Sequence, residues 1–188
     1  MDADDHKIEA VLKEDRRFMV PLYQRKYQWA EHRLLPFWED VQAKAVEVLN
    51  GDSKFEHYMG ALIIAPVDIG SQIGKTQLVQ VVDGQQRLTT FQLFLVSLRE
   101  VARRHGLDDF IDHVNGYLFN VPKSKDTDPL TRFKLNPTPS DRALFHDLLD
   151  MDYAQATKTY THLFWGATVP KNTPFPAFRA YFLFNQWI

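Results

Sequence analysis

The stretch VVDGQQRLTT, residues 81–90, decides how this chain folds. A β-branched apolar run leads into Asp83 and Gly84, and apolar side chains then recur at helical spacing. The sequence therefore predicts a strand over residues 76–82 that runs directly into a helix over residues 84–104. One stripe of that helix is apolar and should be buried: Leu88, Phe91, Leu95 and Leu98.

Segments on both sides of this stretch complete the predicted fold. Apolar spacing predicts further helices over about residues 4–14, 31–49, 107–119 and 139–149. Short apolar runs predict strands over residues 17–20 and 57–65 and a possible short strand in TRFKLNP, 131–137, with GSQIGKT, 70–76, as a connecting turn. Together these elements predict an α+β fold, in which several helices pack on a small mixed sheet and a mostly helical part follows.

The C-terminal third of the chain is predicted to be a separate part. We place one domain over residues 1–120 and a mostly helical extension over residues 121–188, and we expect this extension to be truncated, with the natural chain continuing beyond Ile188. The extension ends on TPFPAFRAYFLFNQWI, an aromatic-rich segment that needs an apolar partner. We expect Phe178, Phe182 and Trp187 to pack on this domain, on a further domain beyond Ile188, or on a second copy of the chain.

The composition is that of an ordinary globular protein. The 188 residues carry 22 basic and 24 acidic side chains, a formal charge of −2, which argues against a polybasic nucleic-acid binder. Because the chain contains no cysteine, disulfides, thiolate zinc sites and a cysteine nucleophile are excluded. The acidic N-terminus is unlike a signal peptide, and no apolar run is long enough to cross a bilayer, so we expect a soluble, cytoplasmic protein.

The residues after the 76–82 strand form the first candidate site. The amides and the positive end of the following helix favour an anion, and Gly84 lets a ligand approach the backbone. Gln85 and Gln86 add neutral donors, and Arg87 offers a fork suited to phosphate oxygens. Asp83 and Gln86 also have the spacing of a capping box. The alternative is therefore a well-capped helix whose Arg87 pairs with a structural carboxylate.

The motif YQRKYQW, which begins at Tyr23, forms the second candidate site. Arg25 and Lys26 stand between aromatic residues, an arrangement suited to holding a phosphate and stacking a base. The alternative is that one or two of these aromatics cover the core, Trp29 above all.

Other polar clusters have simpler explanations. Asp40, Gln42 and Lys44 have the composition of a nuclease carboxylate–lysine cluster, but a solvated helix face explains them better. The seven histidines include no pair at i, i+4 spacing, so a histidine metal site is not expected.

Three segments in order resemble a known family: VPLYQRKYQW at 20–29, HYMGALII at 57–64 and VVDGQQRLTT at 81–90. They resemble the N-terminal domain of GmrSD-type modification-dependent restriction enzymes, a domain marked by DGQQR and related to the ParB/sulfiredoxin-like fold. The resemblance covers about residues 17–104, and RFKLNP and SDRALFHDLL continue it less specifically.

The resemblance implies binding, and often hydrolysis, of a nucleoside triphosphate with Mg²⁺, coupled to cleavage of modified phage DNA. It implies a catalytic set, whose first member is a possible Mg²⁺ ligand: Asp83, Gln86 and Arg87. It implies nucleotide-binding residues: Gln24, Arg25, Gly60, Gly84, Gln85, Gln86 and Arg87. It implies residues that contact nucleotide or DNA: Tyr23, Lys26, Tyr27 and Trp29.

The chain departs from such enzymes in one respect, because no histidine-nuclease domain is visible in it. DNA cleavage would then come from a further domain or a partner chain. This chain, a candidate homo-oligomer, would sense the modified DNA and supply the energy for its cleavage. Two alternatives stay open. One is a nucleotide switch without hydrolysis, and the other is a DNA-binding or partner-binding module whose anion site takes the DNA backbone.

Overall fold

The structure, a computed structural model, describes residues 4–52, 56–67 and 73–188. Its helices are α1 (Ile8–Lys13), α2 (Glu31–Leu49), α3 (Gln85–Arg104), α4 (Asp108–Leu118), α5 (Pro139–Asp150), α6 (Tyr153–Thr159) and α7 (Pro176–Trp187). Its strands are β1 (Arg16–Met19), β2 (Ile63–Pro66), β3 (Gln77–Asp83) and β4 (Leu135–Asn136). Short 3₁₀ turns lie at Pro129–Arg132 and Thr161–Leu163.

The four strands form one mixed sheet in the order β2-β3-β1-β4. The central strand β1 runs parallel to both β3 and β4, so that Phe18 pairs with Val79 on one side and with Leu135 on the other. Strand β2 is antiparallel to β3. The α+β class with a small mixed sheet is therefore confirmed.

The parallel strands bring three chain segments to one edge of the sheet. Their carboxyl ends lead into the loop at residues 20–30, into α3 and into α5. This edge is where ligands bind in many α/β sheets, because helix N-termini and loops converge there.

The predicted elements match the observed ones closely around DGQQR and at α2, α4 and α5, and less closely at α1 and β2. Helix α2 has the predicted bounds, and β3 and α3 differ from prediction by one residue. The strand expected over residues 57–65 is wrong in its first half, because Gly60 has a left-handed φ of 92° and β2 begins only at Ile63. The predicted turn over residues 70–76 lies partly outside the described residues.

The core lies between the sheet and α3, which carries the predicted apolar stripe. Leu88 and Leu95 are buried, while Phe91 and Leu98 are half-buried and pack against the same core. None of the four faces solvent, as the periodicity predicts.

The aromatic tail packs on α3 within this chain. Phe178 is fully buried and Phe182 is nearly so, and the ring of Phe184 meets that of Phe94 edge to face at 5.7 Å. Trp187 is half-buried against Phe184. The tail thus packs on its own chain, the first of its three expected partners. The boundary at residue 120 stays a prediction.

None of the helices in the described part of the chain combines the length and apolar character that a membrane span requires.

Candidate functional site

The two glutamines of DGQQR hold the loop that follows β1. The amide of Gln85 donates to the Arg25 carbonyl at 2.9 Å and to the Gln24 side chain at 3.2 Å. The amide of Gln86 donates to the Lys26 carbonyl at 3.2 Å, and its oxygen accepts from the Gln28 backbone N–H at 2.9 Å. Both glutamines are buried, so they supply the partners that the loop backbone loses from water.

Tyr27 is a core residue between α3 and α5. Its ring is 3% exposed, its hydroxyl lies 2.8 Å from the Thr90 hydroxyl, and its backbone N–H donates to Asp141 at 2.7 Å. Burial raises the pKa of the Tyr27 phenol far above its ordinary value, which shows how dry its surroundings are. For Tyr27 the alternative of an aromatic that covers the core therefore applies.

The remaining polar residues of the loop point into solvent. Tyr23 is 73% exposed, and its hydroxyl accepts a hydrogen bond from Gln80 at 3.1 Å. Arg25 and Lys26 are exposed as well. Gln24 differs, because its amide donates to the Val82 carbonyl at 2.9 Å and thereby ties the loop to β3.

Helix α3 begins differently from the prediction. Gly84, with a φ of 88°, is the N-cap, and no side chain caps the helix. The predicted capping box of Asp83 and Gln86 is therefore wrong. The Gln86 amide binds the loop instead, and the N-cap is Gly84, one residue after Asp83. A Cβ on Gly84 would lie 3.0 Å from the Ala61 carbonyl oxygen, so the close neighbour of this glycine is the 61–62 segment.

Arg87 lies along the backbone of the segment before β2. Its guanidinium donates to the Ala61 carbonyl and stands 4.0 Å from the carboxylate of Asp83. Gly60 makes this approach possible, since a Cβ there would lie 3.0 Å from the Arg87 Nε atom. The Arg87 side chain is 38% exposed and that of Asp83 is 68% exposed. Among the residues that the structure describes, the carboxylate beside Arg87 is thus that of Asp83, which is solvated.

An open cleft of about 220 Å³ lies beside Arg87. It is bounded by the start of α2, the 57–59 segment and the first turn of α3. Its lining residues are Trp29, Arg33, Phe37, Asp40, His57, Tyr58, Met59 and Arg87. The cleft thus combines two guanidinium groups, aromatic surface and a carboxylate–imidazole pair, which suits an anionic ligand with a flat apolar part.

The cleft contains residues that sequence reasoning missed. Arg33, Phe37 and Asp40 follow i, i+4, i+7 spacing on α2, which places them on one helix face. That spacing was a usable signal, but Asp40 was interpreted as part of a solvated face. His57 opens the HYMGALII segment, but its pairing with Asp40, 17 positions away, left no local pattern.

Apart from Tyr27 in the core and Gly84 at the N-cap of α3, the structure divides the predicted site residues into three groups. Arg87 and Trp29 line the cleft, with Gly60 and Asp83 against Arg87. The anchor of the loop to β3 and α3 is formed by Gln24, Gln85 and Gln86. The solvent-facing residues of the loop are Tyr23, Arg25 and Lys26.

Comparison with known proteins gives one family. The model of the GmrSD restriction endonuclease N-terminal domain matches residues 8–172, which is most of the chain. No curated protein matches the chain significantly. The matched range includes the loop after β1, the cleft and DGQQR, as well as the segments that complete the sheet. The chain therefore belongs to the family of GmrSD restriction endonuclease N-terminal domains.

Proposed function

We propose that the cleft beside Arg87 binds a nucleoside triphosphate with Mg²⁺ and hydrolyses it, and that this step governs cleavage of modified DNA by a nuclease domain or partner chain. The observation that carries the proposal is the position of Arg87. Its side chain is half-exposed at the start of α3 and lines the cleft, and within the described residues its carboxylate neighbour is the solvated Asp83.

Arg33, which also lines the cleft, supports a phosphate ligand there. Two guanidinium groups in one cleft repel each other, and an anion bound in the cleft offsets that cost. Phosphate oxygens fit the planar fork of each group better than a single carboxylate oxygen does.

Trp29 supplies a place for the base. It is half-buried against the core and lines the same cleft, so its ring is fixed by packing while one side stays accessible. A fixed aromatic face stacks a base without selecting which one.

Asp83 fits the Mg²⁺ that accompanies such a nucleotide. In phosphate sites this ion is held by one or two carboxylates together with the phosphates. Asp83 is exposed and lies 4.0 Å from Arg87, so it is a carboxylate of this kind. It would hold the ion, whose charge offsets that of the phosphates.

The test is calorimetric titration and phosphate release with each of the four nucleoside triphosphates and Mg²⁺. Binding with steady phosphate release supports the proposal. Binding without phosphate release supports the nucleotide switch without hydrolysis instead. If no nucleotide binds, the assignment of the cleft is contradicted.

The exposed part of the loop favours a second candidate function, which is contact with the DNA backbone. Tyr23, Arg25 and Lys26 face solvent and do not line the cleft, so DNA bound there would not compete with nucleotide. The salt dependence of DNA binding tests this. Replacing Arg25 or Lys26 with alanine should lower the slope of log K against log salt by about 0.9 each, whereas Lys158→Ala on α6 should leave it unchanged.

A further inference from the structure

We propose that His57, positioned by Asp40, takes the proton from the water that attacks the nucleotide. This rests on the proposed function of the cleft. Neither residue belongs to DGQQR or to the aromatic loop motif, and the fold alone brings them to one site.

The geometry of the pair supports the assignment. Nε2 of His57 lies 3.6 Å from the Asp40 carboxylate, and the two residues come from the 57–59 segment and from α2. Both line the cleft that also contains Arg33 and Arg87, so the imidazole stands beside the two cations that we assign to phosphate.

The chemistry of the pair suits proton transfer. A carboxylate 3.6 Å from Nε2 favours the neutral tautomer that carries its proton on that nitrogen, and it stabilises the imidazolium once that forms. Nδ1 is then the ring nitrogen with a lone pair for a water molecule. Imidazole is an effective proton acceptor near neutral pH, because it takes up a proton close to that pH.

Hydrolysis begins with the attack of water on the γ-phosphorus. The water oxygen forms a bond to the γ-phosphorus while one of its protons moves to Nδ1 of His57. The bond between the γ-phosphorus and the oxygen that bridges it to the β-phosphorus breaks, and that oxygen keeps the electron pair. The products are the diphosphate and inorganic phosphate, and the imidazolium returns its proton to solvent.

Charged groups share the cleft with His57. Arg33 and Asp40 on α2 and Arg87 on α3 line it as well. On its own segment His57 is flanked by Tyr58 and by Glu56, which pairs with Lys7 at 3.1 Å. A bound phosphate would offset the charges of the two guanidinium groups.

Loss of either side chain is not expected to destabilise the protein. The side chains of His57 and Asp40 are 47% and 57% exposed, and ion pairs at such positions contribute little to stability. We therefore expect variants of either residue to fold and melt like the wild type.

The experiment compares His57→Ala and Asp40→Asn with matched controls on α2, His32→Ala and Glu39→Gln, which are exposed and outside the cleft. Nucleotide affinity is measured by calorimetry and kcat by phosphate release, with Mg²⁺ and each nucleoside triphosphate. We expect His57→Ala to lower kcat at least a hundredfold and Asp40→Asn about tenfold, with affinity changed less than threefold. The controls keep wild-type kcat.

The pH profile separates proton transfer from a structural role. Wild-type kcat should fall in acid, where a general base is protonated, and this fall should be absent from the residual rate of His57→Ala. A His57→Ala variant with kcat within threefold of wild type, with a loss in affinity instead of kcat, or with the acid fall retained overturns the assignment of His57 alone. A wild-type protein that binds no nucleotide overturns the proposed function, and the assignment with it. Binding without any hydrolysis overturns the assignment and leaves the binding site standing.

Discussion

At the scale of single residues, Arg87 decides between a ligand site and a structural contact. Charge-assisted contacts to phosphate contribute about 1.5–3 kcal/mol, so Arg87→Ala should weaken nucleotide affinity roughly ten- to a hundredfold. Lysine at this position should restore only part of it, because a point charge lacks the fork. The melting temperature should shift little, since the side chain is half-exposed and Asp83 is solvated. Calorimetry and thermal melting of one sample check both, and early melting with normal binding would refute the site.

Gly60 offers a matched test of how Arg87 is placed. Gly60→Ala puts a Cβ 3.0 Å from the Arg87 Nε atom and strains a backbone with a φ of 92°. Gly51 has a φ of 72° and open space around it, so Gly51→Ala carries the backbone strain without the clash. Each variant should lose about 1 kcal/mol of stability in chemical denaturation. We expect only Gly60→Ala to lower nucleotide affinity as well. If the two variants bind nucleotide with equal affinity, Arg87 does not contact the ligand.

At the scale of elements, the first turn of α3 fixes the loop after β1. Gln86→Leu would leave the Lys26 carbonyl and the Gln28 N–H without their partner, and because both bonds are only half-buried we expect a loss of about 1 kcal/mol. We expect a lower melting temperature and faster hydrogen exchange at Gln28. Gln42→Leu on the exposed face of α2 should change neither. If the loop exchanges as in the wild type, the glutamine is free for another role.

At the scale of the whole molecule, stability depends on a buried histidine. The ring of His146 on α5 stacks on that of Phe133, with 3.7 Å between the ring centroids. Burial is the largest cause of the lowered pKa of His146, which is about 4. The unfolded chain takes up a proton near pH 6.5 and the folded chain only near pH 4, so between these values the unfolded state binds more protons. Stability should be full above pH 6.5 and fall by about 3 kcal/mol towards pH 4.

His146→Phe tests this dependence because it keeps a stacking ring and removes the titrating group. Denaturation curves between pH 4 and pH 7 should become flatter in this variant, although it loses the weak contact of Nε2 with the Leu135 carbonyl at 3.4 Å. His105→Phe at an exposed position should keep the wild-type slope. An unchanged slope in His146→Phe would place the acid sensitivity in another group.

Local signals in the sequence determined the part of the fold around DGQQR. The apolar strand, the glycine turn and the helical stripe from Leu88 to Leu98 each follow from side-chain size and backbone preference within a few residues. These preferences act before any distant contact forms, which is why β3 and α3 were predicted within one residue. The α+β class and the family resemblance depended on the same local patterns.

Only the tertiary structure decided what the polar side chains do. The side-chain amides of Gln85 and Gln86 can donate to a phosphate as well as to a carbonyl. In the folded chain the loop about 60 residues away supplies the carbonyls to which they donate. Tyr27 became a core residue because Thr90 and Asp141 meet it from two other elements. The cleft likewise exists only where α2, the 57–59 segment and α3 converge. Hydrogen bonds and burial depend on distance in space, and sequence position does not fix that distance until the parallel strands are paired.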